Sequence, residues 1–118
     1  METKIKLIIG HVSVVGFLND TTTAQELLKM LPLEFTGTRF NHDITCASSR
    51  DIPPDIRGIR TGWDNGDIGF NKGTMAIFLE DEEKSGAYSD MMIVGHIDKE
   101  SLPVLRKIDG AVKVIITQ

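Results

Sequence analysis

The stretch that decides the fold is GDIGFNKGTMAIFLEDEEKSGAYSDMMIVGHI, residues 66–97. It contains two short apolar runs, residues 74–79 and 91–97, and a polar, acidic segment separates them. Both runs are rich in Ile, Val, Met and Phe and are bounded by turn residues, which is typical of buried strands. We therefore predict a pair of core strands around which the rest of the chain closes.

The N-terminal part predicts a β-hairpin followed by a short helix. Apolar and polar residues alternate over residues 4–9 and 11–18, with a turn at Gly10-His11. Thr23 and Glu26 then have the spacing of a capping box. Pro32 ends the predicted helix, whose apolar stripe consists of Ala24, Leu27, Leu28 and Leu31. So short a helix is unstable alone, so the stripe must pack on the sheet.

The remainder of the chain adds more short strands, one long loop and a second helix. Residues 50–62 contain Pro53-Pro54 and Gly58 and are interpreted as an irregular crossing loop. A helix is predicted over residues 100–108, and further strands are predicted over residues 33–40, 43–46, 67–70, 74–80, 90–97 and 111–117. Closing such a sheet removes its unpaired edges. We predict a mainly β fold: a closed, mostly antiparallel barrel with two short helices.

Composition places the chain among ordinary globular proteins. Its 118 residues predict one domain, residues 1–118, with 41% hydrophobic and 25% charged residues. The net charge of −4 argues against nucleic acid or an anionic membrane as partner. The lone Cys46 cannot form an internal disulfide, and no apolar run is long enough to span a membrane. We therefore expect a cytoplasmic protein.

Several segments carry a family resemblance. The run IVGHIDKESLPVLRKI, residues 93–108, resembles the end of cyclophilins, where a strand leads through a short loop into a helix. Residues 23–33, 66–81 and 95–98 resemble segments of small bacterial and archaeal cyclophilin-like proteins. The resemblance covers most of the chain and implies a closed eight-stranded barrel. Some members are joined to a flavodoxin-like domain, so the resemblance also implies such a domain as a candidate partner. Formation of a homodimer is a second alternative that the sequence leaves open.

The resemblance suggests one enzymatic alternative, peptidyl-prolyl cis-trans isomerase. Cyclophilins use a catalytic arginine on the strand after the first helix, and Arg39 stands there by chain order, with Phe40 beside it. An arginine lowers the barrier by bonding the prolyl nitrogen as the amide loses double-bond character. The long groove-building segment of cyclophilins is absent, however, because residues 70–74 bridge directly. The alternative interpretation is an exposed strand arginine beside a core phenylalanine.

A second set of residues predicts a ligand site at the barrel mouth. Trp63 is the only tryptophan, and Arg57 and Arg60 precede it closely enough to form a cationic, aromatic-lined pocket with Phe70. His96 follows a buried position and is a candidate base or ligand inside the barrel. The alternatives are a tryptophan plug, solvated loop charges and a half-buried histidine bonded to backbone.

No motif fixes a reaction, a metal or a cofactor. His42, Asp43 and Cys46 fit no zinc spacing, the acidic run at residues 80–83 lacks calcium-loop spacing, and a Cys46–His96 nucleophile pair rests on no motif. We expect no metal and no cofactor. The sequence therefore predicts a protein that binds a small molecule or short peptide, with prolyl isomerisation as the alternative and enzymatic activity left open.

Overall fold

The computed structural model describes residues 2–47, 51–71 and 73–118. Within these residues the strands are β1 (Thr3–Ile9), β2 (Val12–Leu18), β3 (Leu33–Phe40), β4 (Asp43–Ala47), β5 (Ile59–Arg60), β6 (Asp67–Asn71), β7 (Thr74–Phe78), β8 (Met91–Ile97) and β9 (Ala111–Thr117). The helices are α1 (Thr22–Lys29) and α2 (Leu102–Leu105), with 3₁₀ segments at Ile56–Gly58, Glu82–Ala87 and Lys99–Ser101.

The strands form one closed antiparallel barrel. Their order is β2-β1-β9-β3-β4-β7-β6-β8-β5, and an additional pairing of β2 with β8 closes the ring. The two-residue β5 lies outside the ring on β8, so eight strands make the wall. Each pairing between described strands is antiparallel. The predicted closed, mostly antiparallel eight-stranded barrel is confirmed.

The barrel interior follows from side-chain alternation on four of the wall strands. On β1, Ile5, Leu7 and Ile9 are buried while Lys4 and Lys6 face solvent, as the period of two requires. The strands β2, β3 and β9 alternate in the same way, whereas β6 and β8 are each buried at four consecutive positions. Together the strands produce one continuous apolar core, whose largest fully buried side chains include Phe70, Leu18, Leu27, Ile44, Met75, Ile77 and Ile97. The two apolar runs that decide the fold supply β7 and β8 to this core.

The barrel closes where β2 pairs with β8, and we call this pairing the seam. Phe17 pairs with His96 and Leu18 with Gly95 across it. A Cβ on Gly95 would stand 2.1 Å from the carbonyl oxygen of Phe17, a separation that real Cβ contacts do not reach. The seam therefore requires glycine at position 95, because only a residue without a side chain allows the two backbones to approach so closely.

Helix α1 covers one end of the barrel, but its cap differs from the predicted one. Thr21 is the N-cap residue, and its hydroxyl accepts a hydrogen bond from the Ala24 amide. The predicted capping box beginning at Thr23 is wrong, because Thr23 lies inside the helix and its buried hydroxyl donates to the Pro53 carbonyl. Leu27 is fully buried, whereas Leu28 is only partly buried against the core.

The loops contain more local structure than the sequence indicated. The predicted crossing loop holds a 3₁₀ turn and β5, and its first residue, Arg50, lies outside the described residues. The acidic segment between β7 and β8 is a 3₁₀ helix over Glu82–Ala87. The second helix is shorter than the predicted range of residues 100–108. A 3₁₀ turn comes first, and α2 spans only Leu102–Leu105.

We predict that Gly95→Ala destabilises the protein by about 3 kcal/mol or more, because the new methyl group would push β2 away from β8. Urea unfolding followed by circular dichroism measures the change. Gly86→Ala is the matched control, since its Cβ would meet nothing within 4 Å, and its effect should stay within about 0.5 kcal/mol. Equal stability of the two variants would contradict the role of Gly95 at the seam.

Candidate functional site

A groove of about 710 Å³ lies on the outer surface of the barrel along the seam. We call it the seam groove. Its wall comes from outward-facing residues of β2, the β8 segment around His96, and the 60–67 region that leads into β6. Its lining comprises Glu2, Val15, Phe17, Asn19, Arg60, Asp64, Asn65, Asp67, Ile93, Gly95, His96, Ile97, Asp98 and Lys99.

Two rings form the apolar surface of the seam groove. Phe17 and His96 are cross-strand partners, and their ring centroids lie 5.5 Å apart at an interplanar angle of 32°. Such neighbours on one face of an antiparallel pair support each other's orientation. Val15 extends this surface along β2 and is 38% exposed. The groove thus presents a partly aromatic face to solvent.

Charged side chains surround these rings. Arg60 forms an ion pair with Asp67, which is buried and also accepts a hydrogen bond from the Asp64 amide at 2.8 Å. Arg60 lies 3.6 Å from the Asp64 carboxylate as well. Glu2 places a carboxylate oxygen 3.3 Å from Nδ1 of His96. The buried member of this set, Asp67, is paired with Arg60 and accepts the Asp64 amide at Oδ2, and these two contacts hold the 60–67 region in place.

Of the predicted ligand-binding residues, the structure brings only Arg60 and His96 together in the seam groove. His96 lies on the outer face of β8, with 43% of its side chain exposed, and does not point into the barrel. Arg57 forms an ion pair with Asp55 on the surface and donates to the Asp20 carbonyl. Hydrogen bonds from Arg57, followed by those from Thr22, hold the pKa of the Asp55 carboxyl below its usual range.

Trp63 and Phe70 lie apart from the groove surface. Trp63 is 3% exposed, donates from Nε1 to the Glu80 carbonyl, and stacks on His42 at 4.4 Å and Phe78 at 4.6 Å. Phe70 is 1% exposed within the core. Trp63 and Arg60 do share a smaller depression of about 400 Å³ beside Ser85. Trp63 is therefore buried in a ring cluster with His42 and Phe78.

Arg39 and Phe40 are not brought together, because consecutive residues of a strand face opposite sides. Phe40 is 64% exposed, so the interpretation of it as a core residue is wrong. Arg39 is nearly buried and donates to the carbonyls of Asn41 and Arg106 and to the Glu80 carboxylate. Its guanidinium thus ties β3 to the end of α2 and to the segment after β7.

Cys46 and His96 do not form a pair either. Cys46 is fully buried on β4, and burial, reinforced by the nearby negative charge of Asp43, raises the pKa of its thiol to about 12. His96 lies on the outer surface of β8. Within the described ranges, no group of three or more His, Cys, Asp or Glu side chains is placed to hold a metal ion.

Sequence reasoning missed Phe17, Asp67 and Glu2 as neighbours of the groove. The one available signal was apolar residues on both faces of β2, where Val15 and Phe17 alternate with buried positions. Their partner strand could not be identified from that pattern, because β8 is about eighty positions further along the chain. The pairing of distant strands at the seam is what creates the site.

A family model for the cyclophilin-like family matches residues 7–117. The chain belongs to the cyclophilin-like family. This confirms the resemblance inferred from residues 23–33, 66–81 and 93–108. A comparison with curated proteins finds no match. In the described part of this cyclophilin-like chain, no helix is both long and apolar enough to cross a membrane.

Two solved structures share the fold. The hypothetical protein AF2241 from Archaeoglobus fulgidus superposes with a TM-score of 0.73 at 12% identity, over 98% of this chain and 94% of its own. McbB, solved in complex with tryptophan, superposes with a TM-score of 0.72 at 14% identity, over 97% of this chain and 44% of its own. At these identities the likeness establishes a common architecture.

We expect Cys46 to be inert toward thiol reagents in the native protein. A pKa of about 12 leaves roughly one thiolate in ten thousand at pH 8, and the side chain is inaccessible. Titration with a chromogenic disulfide should therefore show no rapid reaction until guanidinium unfolds the chain, after which one thiol reacts. Fast reaction of the folded protein would contradict the placement of Cys46 in the core.

We expect Arg39→Ala to lower the free energy of unfolding by about 2–3 kcal/mol, because the carbonyls of Arg106 and Asn41 lose a charged donor. Denaturant melts measure this loss. Lys113→Ala is the control, since Lys113 pairs with Glu34 at an exposed position and should change stability by less than about 0.5 kcal/mol. A neutral Arg39 variant would show that the guanidinium does not hold these segments together.

Proposed function

We propose that this protein binds a small organic molecule or a short peptide in the seam groove. The observation that carries the proposal is the partly exposed Phe17–His96 ring pair inside a groove of about 710 Å³. Ligand sites typically have volumes of about 300–1,000 Å³ and combine apolar surface with a few placed polar groups. The seam groove has both properties.

The groove is held in shape before any ligand arrives. Phe17 and His96 sit on paired strands, and the Arg60–Asp67 ion pair connects β5 to the start of β6. A register shift between Ile68 and Gly69 on β6, opposite β8, lies beside this pair. A pre-organised surface binds more tightly because less conformational entropy is lost on association.

The fold comparison supports a ligand-binding role. McbB shares the barrel architecture and was solved with tryptophan, a small molecule that has an aromatic ring and two charged groups. At 14% identity its residues cannot be transferred to this chain. Its contribution is that a protein sharing this barrel over 44% of its own chain was solved with a small molecule.

No observation favours the isomerase alternative to the same degree. The guanidinium of Arg39 is engaged with Asn41, Arg106 and Glu80 rather than directed at an open surface. The neighbouring Phe40 faces the other side of β3. We therefore confine the proposal to ligand binding in the seam groove.

A two-dimensional amide NMR screen tests the proposal. A library of metabolites and dipeptides should contain ligands that shift the amide signals of Phe17, Gly95 and His96 together. His96→Ala should weaken binding of a hit by about five- to tenfold, since one ring contact contributes roughly 1 kcal/mol. His11→Ala is the matched control, because His11 is exposed outside the groove.

The control variant should bind like the wild type. Absence of any hit at the seam amides would overturn the proposal. So would hits whose affinity is unchanged in His96→Ala, because they would bind elsewhere on the barrel.

A further inference from the structure

We infer that the seam groove selects organic cations, specifically amines attached to a flat aromatic or apolar group. This inference rests on the proposed ligand-binding function and deepens it by naming the chemical class of the ligand. It depends on two features of the groove, namely the charge balance of its rim and the ring pair between the charged groups.

The lining is acidic. It contains two basic side chains, Arg60 and Lys99, and four carboxylates, which are those of Glu2, Asp64, Asp67 and Asp98. These six side chains give the lining a formal charge of −2. Clefts lined by one sign of charge concentrate ligands of the opposite sign.

The arginine of this lining, Arg60, is not free to bind an anionic group of a ligand. Its guanidinium is already paired with buried Asp67 and lies 3.6 Å from Asp64. The carboxylates of Glu2 and Asp98 belong to the same lining, and that of Glu2 lies 3.3 Å from Nδ1 of His96. A ligand therefore meets one exposed carboxylate, Glu2, and one partly buried carboxylate, Asp98, with Lys99 as the remaining cation of the described lining.

The ring pair determines what the rest of the ligand looks like. Phe17 and His96 offer ring surface next to Val15, and the nearest carboxylate oxygen, from Glu2, is 3.3 Å from His96. A flat apolar group stacks on such rings, while an ammonium group beside it gains from both the carboxylates and the ring faces. An anionic head group would meet like charges at the same place.

Four probes that share an indole ring separate charge from shape. They are tryptamine (cation), tryptophan (zwitterion), indole (neutral) and indole-3-propionate (anion). Titration of each, followed at the Phe17, Gly95 and His96 amides, should place tryptamine first and indole-3-propionate last. The ratio of their dissociation constants should be about fivefold or more at low salt, and it should shrink as salt is added.

Two double variants control for net charge. Glu2→Gln with Asp98→Asn removes two groove carboxylates, and asparagine at 98 keeps the N-cap bond to the Glu100 amide. Glu34→Gln with Asp109→Asn makes the same change in net charge outside the groove lining. The first variant should reduce the tryptamine preference to within about twofold, and the second should leave it unchanged.

The outcomes of these titrations distinguish failure of the inference from failure of the proposed function. Binding at the seam with no charge preference, or with the anion preferred, overturns the inference and leaves the proposed function standing. Equal loss of preference in both double variants also overturns it, because the effect would then come from overall charge. If none of the four probes shifts the seam amides, the aromatic-amine class is wrong. The proposed function also fails if the wider library is silent there.

Discussion

The close approach of β2 and β8 at Gly95 is the constraint on which the rest of the structure depends. A barrel wall exists only if the first hairpin meets the second core strand, and they meet where a Cβ would collide with the Phe17 carbonyl. Closure pairs strands that would otherwise expose their edges. It also brings residues about eighty positions apart into one cross-strand row.

The same closure produces the candidate site as a by-product of barrel geometry. Side chains that alternate with the core positions of β2 and β8 must point outward, so Phe17 and His96 become neighbours on the outer surface. The 60–67 region then lies along this row, because β5 and β6 both pair with β8. The Arg60–Asp67 ion pair stabilises that arrangement.

Most of the side chains that the sequence marked as candidate site residues instead stabilise the fold. Trp63 packs in a ring cluster with His42 and Phe78, Arg39 satisfies backbone carbonyls, and Cys46 is buried with a raised thiol pKa. Large, polar-tipped side chains are well suited to such roles because they fill space and satisfy hydrogen bonds together. These side chains inside the molecule therefore have structural roles, and the groove proposed as the ligand site lies on the outer surface.

The sequence by itself determined the eight wall strands, the presence of two short helices and the barrel class, because alternation over β1, β3 and β9 and the turn residues between strands are local signals. It also singled out Arg60 and His96. Only the tertiary structure decided that these two face one groove with Phe17, and that Phe70 and Trp63 are buried away from its surface. The physical reason is that alternation reports which residues share a face, whereas strand pairing across distant positions decides which faces meet.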